Sequence, residues 1–200
     1  MLKGGIVLGR AKEFVREEAL RSAMKTFWSK GYEGTSIPDL MQNMGISRSS
    51  LYETFGDKQS LLNEAAKYYS RLVGEKRRSI LANAKTVKQG LTDYFRYHME
   101  VALEENWPGG CLITNLSIYH DYLDDETKKL IEESMETLEE AFYHFLEKGK
   151  ENDELTSALD SRKTARLLLT INHGINVVTR VKGDSCHLED ISESILHLLT

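Results

Sequence analysis

Apolar residues recur along most of this chain at steps of three and four, the spacing that brings side chains to one face of an α-helix. Apolar residues make up 40% of the 200 residues, and only two of the 200 are prolines. A chain this long can bury a sizeable core. The pattern therefore predicts an all-α protein of about nine helices.

The predicted helices fall into an N-terminal group and a longer C-terminal group. A first helix covers about residues 16–30, and two short helices lie between residues 31 and 58. The Asn-Trp-Pro-Gly-Gly run at 106–110 predicts the clearest turn of the C-terminal part. The remaining predicted helices cover about residues 57–78, 86–105, 111–119, 124–149, 160–182 and 188–199.

The two short helices carry local start and stop signals. Ser36 is a natural N-cap, and Asp39 three residues later completes an approximate capping box. Gly45 suits the left-handed conformation that ends a helix. Ser47 is the expected N-cap of the second short helix, and Gly56 ends that helix. The segment therefore predicts two helices joined by a tight glycine turn.

The second short helix begins with small polar and basic residues, which is typical of a helix that reads the major groove of DNA. Arg48 would bind guanine, and Ser49 or Ser50 would bind several bases. Glu53 would accept from cytosine or would be only a solvated charge. Taken alone, the turn is also compatible with a simple corner between two helices. The predicted DNA contacts are Thr35, Ser36, Ser47, Arg48, Ser49, Ser50, Tyr52, Glu53, Thr54 and Lys58.

Residues 14–64, about a quarter of the chain, resemble the N-terminal domain of the TetR family of transcriptional regulators. The resemblance implies an all-helical homodimer, usually a repressor, whose C-terminal domain binds a small ligand and thereby weakens DNA binding. In that family the residues matching Thr35, Ser49, Tyr52 and Lys58 commonly touch DNA. Thr54 departs from the family, which often has an aromatic residue or His there.

The resemblance predicts a DNA-binding domain at residues 1–58 and an effector-binding and dimerisation domain at 59–200. Residues 1–13 would form a basic arm or a frayed terminus. The net charge of −5 divides unevenly along the chain. Residues 1–78 hold 14 basic and 9 acidic residues, a net +5, whereas residues 79–200 hold 12 and 22, a net −10. A basic DNA-binding end on an acidic body fits this division.

The predicted helix at 160–182 is apolar on more than one face, so it is covered on several sides. One chain could bury it, or it could pack with the 188–199 helix against a second copy across a two-fold axis. The family resemblance favours the homodimer. Two recognition helices roughly 34 Å apart would then read a palindromic operator.

An effector pocket is expected among the C-terminal helices, although each candidate could also be an ordinary core residue. We expect neither a cofactor nor a metal, because no tetrahedral Cys/His spacing is present. The polar side chains of Asn172, His173 and Asn176 would hydrogen-bond a ligand or pair across the dimer axis. The candidates are Tyr94, His98, Trp107, Cys111, Asn115, Tyr119, Phe142, Asn172, His173 and Asn176.

Cys111 follows Pro108-Gly109-Gly110 and is expected to open a helix, where a thiolate is favoured. The segment PGGCLITN resembles one in a subset of TetR-like regulators, some of which sense electrophiles or oxidants through a cysteine. Cys111 is therefore either a reactive sensor or a small buried residue behind two glycines.

Other classes of protein leave weaker traces in the sequence. No signal-peptide core or membrane-length apolar run is present, and two cysteines fit a reducing cytoplasm. The run from His120 to Glu126 could imitate a catalytic carboxylate cluster, but acidic residues also suit the start of a helix. We expect a protein that is not an enzyme, with a helical protein-interaction adaptor as the alternative.

Overall fold

The computed structural model describes residues 7–103, 107–182 and 186–199, and every regular element in these ranges is a helix. The predicted all-α class is confirmed. The α-helices are α1 (Val7–Lys30), α2 (Ile37–Met44), α3 (Arg48–Phe55), α4 (Lys58–Tyr69), α5 (Glu75–Asn83), α6 (Val87–Leu103), α7 (Leu112–Ser117), α8 (Asp125–Glu151), α9 (Ser161–Lys182) and α10 (Cys186–Leu199).

Helices α4 and α5 are joined without a break by a π-helical turn, Ser70–Gly74. We call Lys58–Asn83 the rod. Asp57 caps its start by accepting from the Ser60 N–H at 2.7 Å. The sequence predicted one helix ending near residue 78, so the rod is longer than expected and contains a turn that apolar spacing did not reveal. With the rod counted once, nine α-helices occupy the described residues.

The beginning of α1 corrects one expectation. Residues 7–13, which we assigned to a flexible arm covering 1–13, continue helix α1. Arg10, Ala11 and Lys12 have high helix propensities, which offset the single glycine at residue 9. Residues 1–6 of the expected arm lie outside the described residues.

The buried apolar side chains form two clusters. The first joins α1–α4 to α7 and the start of α8, and includes Trp28, Leu51 and Ile131. The second lies among α5, α6, α8, α9 and α10, and includes Tyr94 and Phe142. We call α1–α3 the head and the elements after the rod the body. The first cluster contains residues of both, so the head packs directly on the body.

Trp28 holds this junction together. Its side chain is completely buried, and its indole N–H donates to the Gly109 carbonyl oxygen at 2.9 Å. The indole ring also meets the rings of Tyr69 and Trp107 edge to face, each at 5.0 Å between centroids. A change in the turn at 107–111 or at Tyr69 is therefore transmitted to α1.

Within the described ranges, no helix has both the length and the apolar character that a membrane span requires.

Candidate nucleic-acid interface and internal cavity

Local hydrogen bonds set the two short helices as the sequence predicted. The Ser36 hydroxyl accepts from the Asp39 N–H at 3.2 Å, and the Asp39 carboxylate accepts from the Ser36 N–H at 3.0 Å. Gly45 ends α2 with φ 65° and ψ 31°, a left-handed conformation. Ser47 then caps α3 by accepting from the Ser50 N–H at 3.1 Å. The predicted capping box, glycine turn and second N-cap are confirmed.

Asp39 also joins α2 to α1. The Lys30 ammonium group donates to its carboxylate at 2.5 Å. The bonds from Lys30 and then from Ser36 lower the pKa of the Asp39 carboxyl well below its usual range. The carboxylate therefore stays charged, which keeps the cap of α2 in place at any pH near neutrality.

Helix α3 presents a polar face to solvent because its apolar face is anchored. Leu51 and Phe55, one turn apart, are buried against the head. The other residues of α3, apart from the half-buried Thr54, are exposed, since helical side chains three and four apart share a face. We call this exposed set the recognition surface: Arg48, Ser49, Ser50, Tyr52 and Glu53.

Aromatic rings lie close to two cations near the recognition surface. The Arg48 guanidinium lies over the Tyr52 ring, 5.7 Å from its centroid. The Lys58 ammonium lies 4.1 Å from the centroid of the Tyr32 ring. Both contacts are within cation–π range. These contacts restrict the positions of the Arg48 and Lys58 charges. A surface that binds the regularly spaced phosphates of DNA needs charges at fixed positions.

The hydroxyl groups at the start of α3 form a cluster. The Ser47 hydroxyl lies 2.9 Å from those of both Ser49 and Ser50. Ser36, which is also exposed, donates its hydroxyl to the Asp39 carboxylate at 2.7 Å. Exposed hydroxyls can exchange such local bonds for phosphate or base contacts.

Thr35 is a correction to the predicted DNA contacts. Its side chain is buried, and its hydroxyl donates to the Gly31 carbonyl oxygen at 2.6 Å. The hydroxyl is used to close the turn between α1 and α2 and does not face solvent. Thr54 is half-buried, whereas the remaining predicted contacts are exposed except for the half-buried Lys58.

A cavity of about 280 Å³ lies between the rod, α8 and α9, beside the start of α7. It contains three of the predicted effector residues: Cys111, Asn172 and His173. The others that line it are Tyr69, Ser70, Arg71, Gly74, Arg77, Arg78, Ile113, Leu130, Glu133, Ser134, Met135, Thr137 and Leu138.

The polar residues of α9 are tied into the body. Tyr94 donates its hydroxyl to Asn172 at 2.9 Å, and the Asn176 amide donates to the Thr114 hydroxyl at 3.1 Å. The Thr114 hydroxyl also lies 2.8 Å from His173 Nδ1. Asn172 and Asn176 are almost completely buried. These side chains therefore face the interior, and the alternative in which they pair across a dimer axis is wrong.

The turn before α7 brings Cys111 to the cavity. Gly109 and Gly110 have φ values of 82° and 70°, which favour glycine. A Cβ atom at Gly110 would stand 3.0 Å from the Asn176 carbonyl oxygen on α9. Cys111 then occupies the N-cap position of α7 and is buried. Its side chain is a near neighbour of those of Tyr69 and Arg77.

The sequence analysis missed Arg77, which is the most unusual group in the cavity. The guanidinium is buried, and its Nε and Nη2 atoms have no hydrogen-bond partner in the described part of the chain. In the sequence it stands in the Glu-Lys-Arg-Arg run at 75–78, which reads as solvated charge. The one sequence signal of its burial is helical spacing. Arg77 is four residues after Val73, which is itself four residues after Tyr69, so the three share a helix face.

Burial, together with the Arg77 charge, keeps two neighbouring histidines neutral. Burial lowers the pKa of His98 well below its usual value, and the Arg77 charge and His173 lower it further. Burial and then Arg77 lower the pKa of His173 to about 4. Burial also lowers the pKa of Arg77 itself, but Tyr69, Tyr94 and Cys111 more than offset this. At neutral pH the guanidinium is charged and both imidazoles are neutral.

Seven predicted effector residues do not line the cavity, and four of them are buried in the body. Tyr94 and Phe142 pack edge to face in the second cluster. His98 is completely buried next to Tyr94, and Asn176 lies close to its ring.

The other three of these seven residues lie at or near the junction with the head. Trp107 packs on Trp28, Asn115 donates to the Trp28 carbonyl oxygen at 3.4 Å, and Tyr119 is half-exposed next to Gly31. Packing across the head–body boundary, which local sequence does not encode, draws these three away from the cavity.

The acidic run before α8 has a structural role. Asp124 caps α8 by accepting from the Thr127 N–H at 2.8 Å, and Asp125 and Glu126 occupy the first turn. Glu126 also accepts from Lys67 on the rod at 2.6 Å. In the ranges that the structure covers, no three His, Cys, Asp or Glu residues are placed to hold a metal ion together.

Family models match both the N-terminal and the C-terminal part of the chain. Residues 19–65 match the family model for bacterial regulatory proteins of the tetR family, and residues 88–195 match the tetracyclin repressor-like C-terminal domain. YezE of Bacillus subtilis, an uncharacterized HTH-type transcriptional regulator, is 32% identical over 96% of this chain and 100% of its own. ComR of Escherichia coli, an HTH-type transcriptional repressor, is 27% identical over 95% of this chain and 91% of its own.

A solved structure extends the likeness to three dimensions. A cysteine mutant of CifR, a TetR family transcriptional regulator complexed with 26-bp operator DNA, superposes with a TM-score of 0.82. The sequences are 25% identical, and the match covers 91% of this chain and 95% of CifR. The overall fold is thus shared with CifR, and this chain belongs to the TetR family of bacterial transcriptional regulators.

Proposed function

We propose that this regulator binds a palindromic double-stranded operator as a homodimer and represses transcription until a small effector releases it. The observation that carries the proposal is the recognition surface: exposed polar side chains on a short helix that is capped by Ser47 and anchored by Leu51 and Phe55. The repressor name of ComR and the operator DNA in the CifR structure support it.

The roles within the interface differ by position. Arg48 and Ser49 at the start of α3 read base edges, because the N-terminal residues of a recognition helix enter the major groove. Tyr52 and Lys58 anchor phosphates, where each contributes without regard to sequence. We place the DNA-binding domain at 1–58 and the effector-binding and dimerisation domain at 59–200. The positive charge of the first part favours DNA, and the negative charge of the second discourages wrong docking.

The homodimer forms through α9 and α10. Their outer faces expose Val177, Val178, Val181 and Leu198, and an apolar groove runs between the two helices. A monomeric soluble protein rarely exposes a continuous patch of this kind. A second copy of the same face, related by a two-fold axis, buries it and brings two recognition helices to one operator.

The effector occupies the cavity and acts on the head through the rod. Tyr69 lines the cavity and also packs on Trp28 of the head. The π-turn at Ser70–Gly74 also contributes to the cavity lining. Since a π-turn holds an extra residue, a ligand that changes its winding rotates α4 and hence the head. A coupling of about 1–3 kcal/mol would weaken operator binding roughly 5- to 150-fold.

Modification of Cys111 is a second route to release. Its side chain lines the cavity, so an alkylating electrophile that is small enough to enter reaches the sulfur. The thioether that forms would occupy the cavity as an effector does, while the thiol proton and the leaving group of the electrophile would pass to solvent. A Cys111→Ser protein that still releases DNA after treatment with the electrophile would overturn this route.

This function is one of binding and not of catalysis, and it places the protein in the cytoplasm with the DNA. The alternative is a helical adaptor that binds proteins. The two are distinguished by salt: operator affinity falls steeply with salt concentration because bound phosphates release counterions, and an adaptor retains no duplex at any salt.

The decisive experiment selects fragments of genomic DNA on the purified full-length protein and then measures binding to the enriched sequence at several salt concentrations. We expect an inverted repeat and a binding constant that falls steeply with salt. Failure to enrich any duplex would refute the proposal.

A further inference from the structure

Arg77 is a buried charge with no carboxylate partner among the described residues. About 5% of the residue is exposed, yet Nε and Nη2 make no hydrogen bond within the described residues. None of the ion pairs found in those residues involves its guanidinium. Buried charges in proteins are almost always paired, because an unpaired one forfeits its hydration without return. Nε and Nη2 are adjacent N–H donors, and a bound anion could accept a hydrogen bond from each of them.

The groups around Arg77 in the cavity are donors or neutral. The Tyr69 hydroxyl and His173 Nε2 are also buried and without partners, and both residues line the cavity. Arg71 and Arg78 add positive charge to the lining. Glu133 is the one carboxylate among the lining residues that the structure describes; it is exposed and lies 3.6 Å from Lys129. The lining as a whole is therefore cationic.

The rest of the lining is apolar, with Ile113, Leu130, Met135 and Leu138 facing the same space. The volume of about 280 Å³ is just below the range of roughly 300–1,000 Å³ that is typical of ligand pockets. A ligand that fits must therefore be compact, with one anionic end and one apolar end.

We infer that the effector is a small monocarboxylate whose carboxylate accepts two hydrogen bonds from Arg77 Nε and Nη2 and one from the Tyr69 hydroxyl. The planar guanidinium matches a carboxylate in this two-bond arrangement. The inference rests on the proposed function and assigns a chemical class to its effector. It also explains how effector binding would be coupled to the head. The carboxylate would link Tyr69, just before the π-turn, to Arg77 in α5, just after it.

The test uses the full-length protein and matched probe pairs: benzoate, phenylacetate, hexanoate and octanoate, each with its neutral amide. Calorimetric titration and thermal melting measure binding. We expect at least one carboxylate to bind about 10- to 100-fold tighter than its amide, as hydrogen bonds to a charged group imply. The inference is overturned if the wild-type protein prefers no carboxylate of the four to its amide.

Three substitutions test whether Arg77 is the charge that binds the carboxylate. Arg77→Met should abolish the preference for carboxylate over amide, whereas Arg71→Met, at an exposed lining position, should leave it nearly unchanged. Removing an unpaired buried charge should not lower the melting temperature of the ligand-free protein. Arg77→Lys, which keeps the charge but lacks the fork, should bind with intermediate affinity and serves if the methionine variant does not fold. Undiminished carboxylate binding in either Arg77 variant refutes the inference.

Cys111 supplies a separate check, because its side chain lies within reach of Arg77. Cys111→Ser should bind the carboxylate as the wild type does. If carboxylates bind only after this substitution, the cysteine thiolate is the partner of Arg77 and the inference is wrong. Operator binding by the ligand-free protein is measured in parallel. Carboxylate binding without operator binding refutes the proposed function alone, and the reverse result refutes the inference alone.

Discussion

The recognition surface and the cavity are built in opposite ways. The recognition surface is exposed and is held by bonds between residues at most four apart, such as that from Ser50 to Ser47. The cavity is partly open to solvent, and its lining is drawn from segments as distant as Tyr69 and His173. In the proposed homodimer, one recognition surface is half of a palindromic reader.

This difference separates what each region can tolerate. A substitution on the recognition surface should change DNA binding and leave stability alone, because the side chains there make few contacts. A substitution near the cavity or at its junction with the head should change stability and the response to effector. The head meets the cavity lining through Trp28 of α1. This residue contacts both Tyr69 and the turn that leads to Cys111.

Breaking the dimer should weaken operator binding by the recognition surface and leave ligand binding in the cavity unchanged. The Val178→Glu, Leu198→Glu variant places charges on the exposed apolar face of α9 and α10, and the repulsion should give monomers. Operator affinity should fall by about 10²–10⁴, the usual gain from linking two binding modules. Analytical ultracentrifugation and operator titration measure the two effects, and cavity binding of the carboxylate probes should persist. A dimeric variant would disprove the assigned interface.

Trp28→Ala tests the junction. The substitution removes a completely buried indole and its bond to Gly109, so the free energy of unfolding should fall by about 3–5 kcal/mol. Tyr52→Ala, on the recognition surface, is the matched control and should cost less than about 0.5 kcal/mol. Urea denaturation gives both values. Equal losses in the two variants would contradict the contrast between the regions.

Arg48→Ala and Lys58→Ala divide the recognition surface itself. Loss of the Arg48 side chain should cost about 1–3 kcal/mol on the operator and relax the base preference at one position. Loss of Lys58 should weaken all duplexes alike and reduce the salt slope by about one. Binding to the operator, to point-mutated operators and to random duplex separates these effects. A uniform loss in both variants would remove the distinction between reading and anchoring.

The smallest predicted effect is a dependence of stability on pH that comes from the cavity. His173 has a pKa of about 4 in the folded protein against about 6.5 when unfolded, so the unfolded chain binds the proton first. Stability should be constant above pH 7.5 and fall as the pH drops below 6.5. Between pH 7 and pH 5 the loss from this residue should be about 1–2 kcal/mol.

The control for this pH effect is His173→Gln, which should flatten the part of the slope that belongs to His173. Arg77→Met should also reduce the slope, because the guanidinium charge helps to keep the imidazole neutral. Urea denaturation at a series of pH values measures both. A slope that is the same in all three proteins would show that His173 does not titrate in this range.

Prediction from sequence succeeded where interactions are local. The caps at Ser36, Ser47 and Asp57 and the left-handed Gly45 were predicted from residue types alone, and all are confirmed. It failed at Thr35, where the hydroxyl turned inward to close a turn. Among the effector residues, Trp107 and Asn115 were drawn to Trp28, a contact between positions about 80 or more residues apart.

The amino-acid pattern by itself determined the helices, their caps and the exposed face of α3, because hydrogen bonds within one or two turns and a 3.6-residue period decide these features. Only the tertiary structure decided that Arg77 is buried rather than solvated and that it lies beside Cys111 and Tyr69. Burial depends on which distant helices cover a residue, and the run around Arg77 contains no local signal of that cover. The DNA-binding end of this protein could therefore be predicted from its sequence, whereas the chemistry of its effector site required the packed chain.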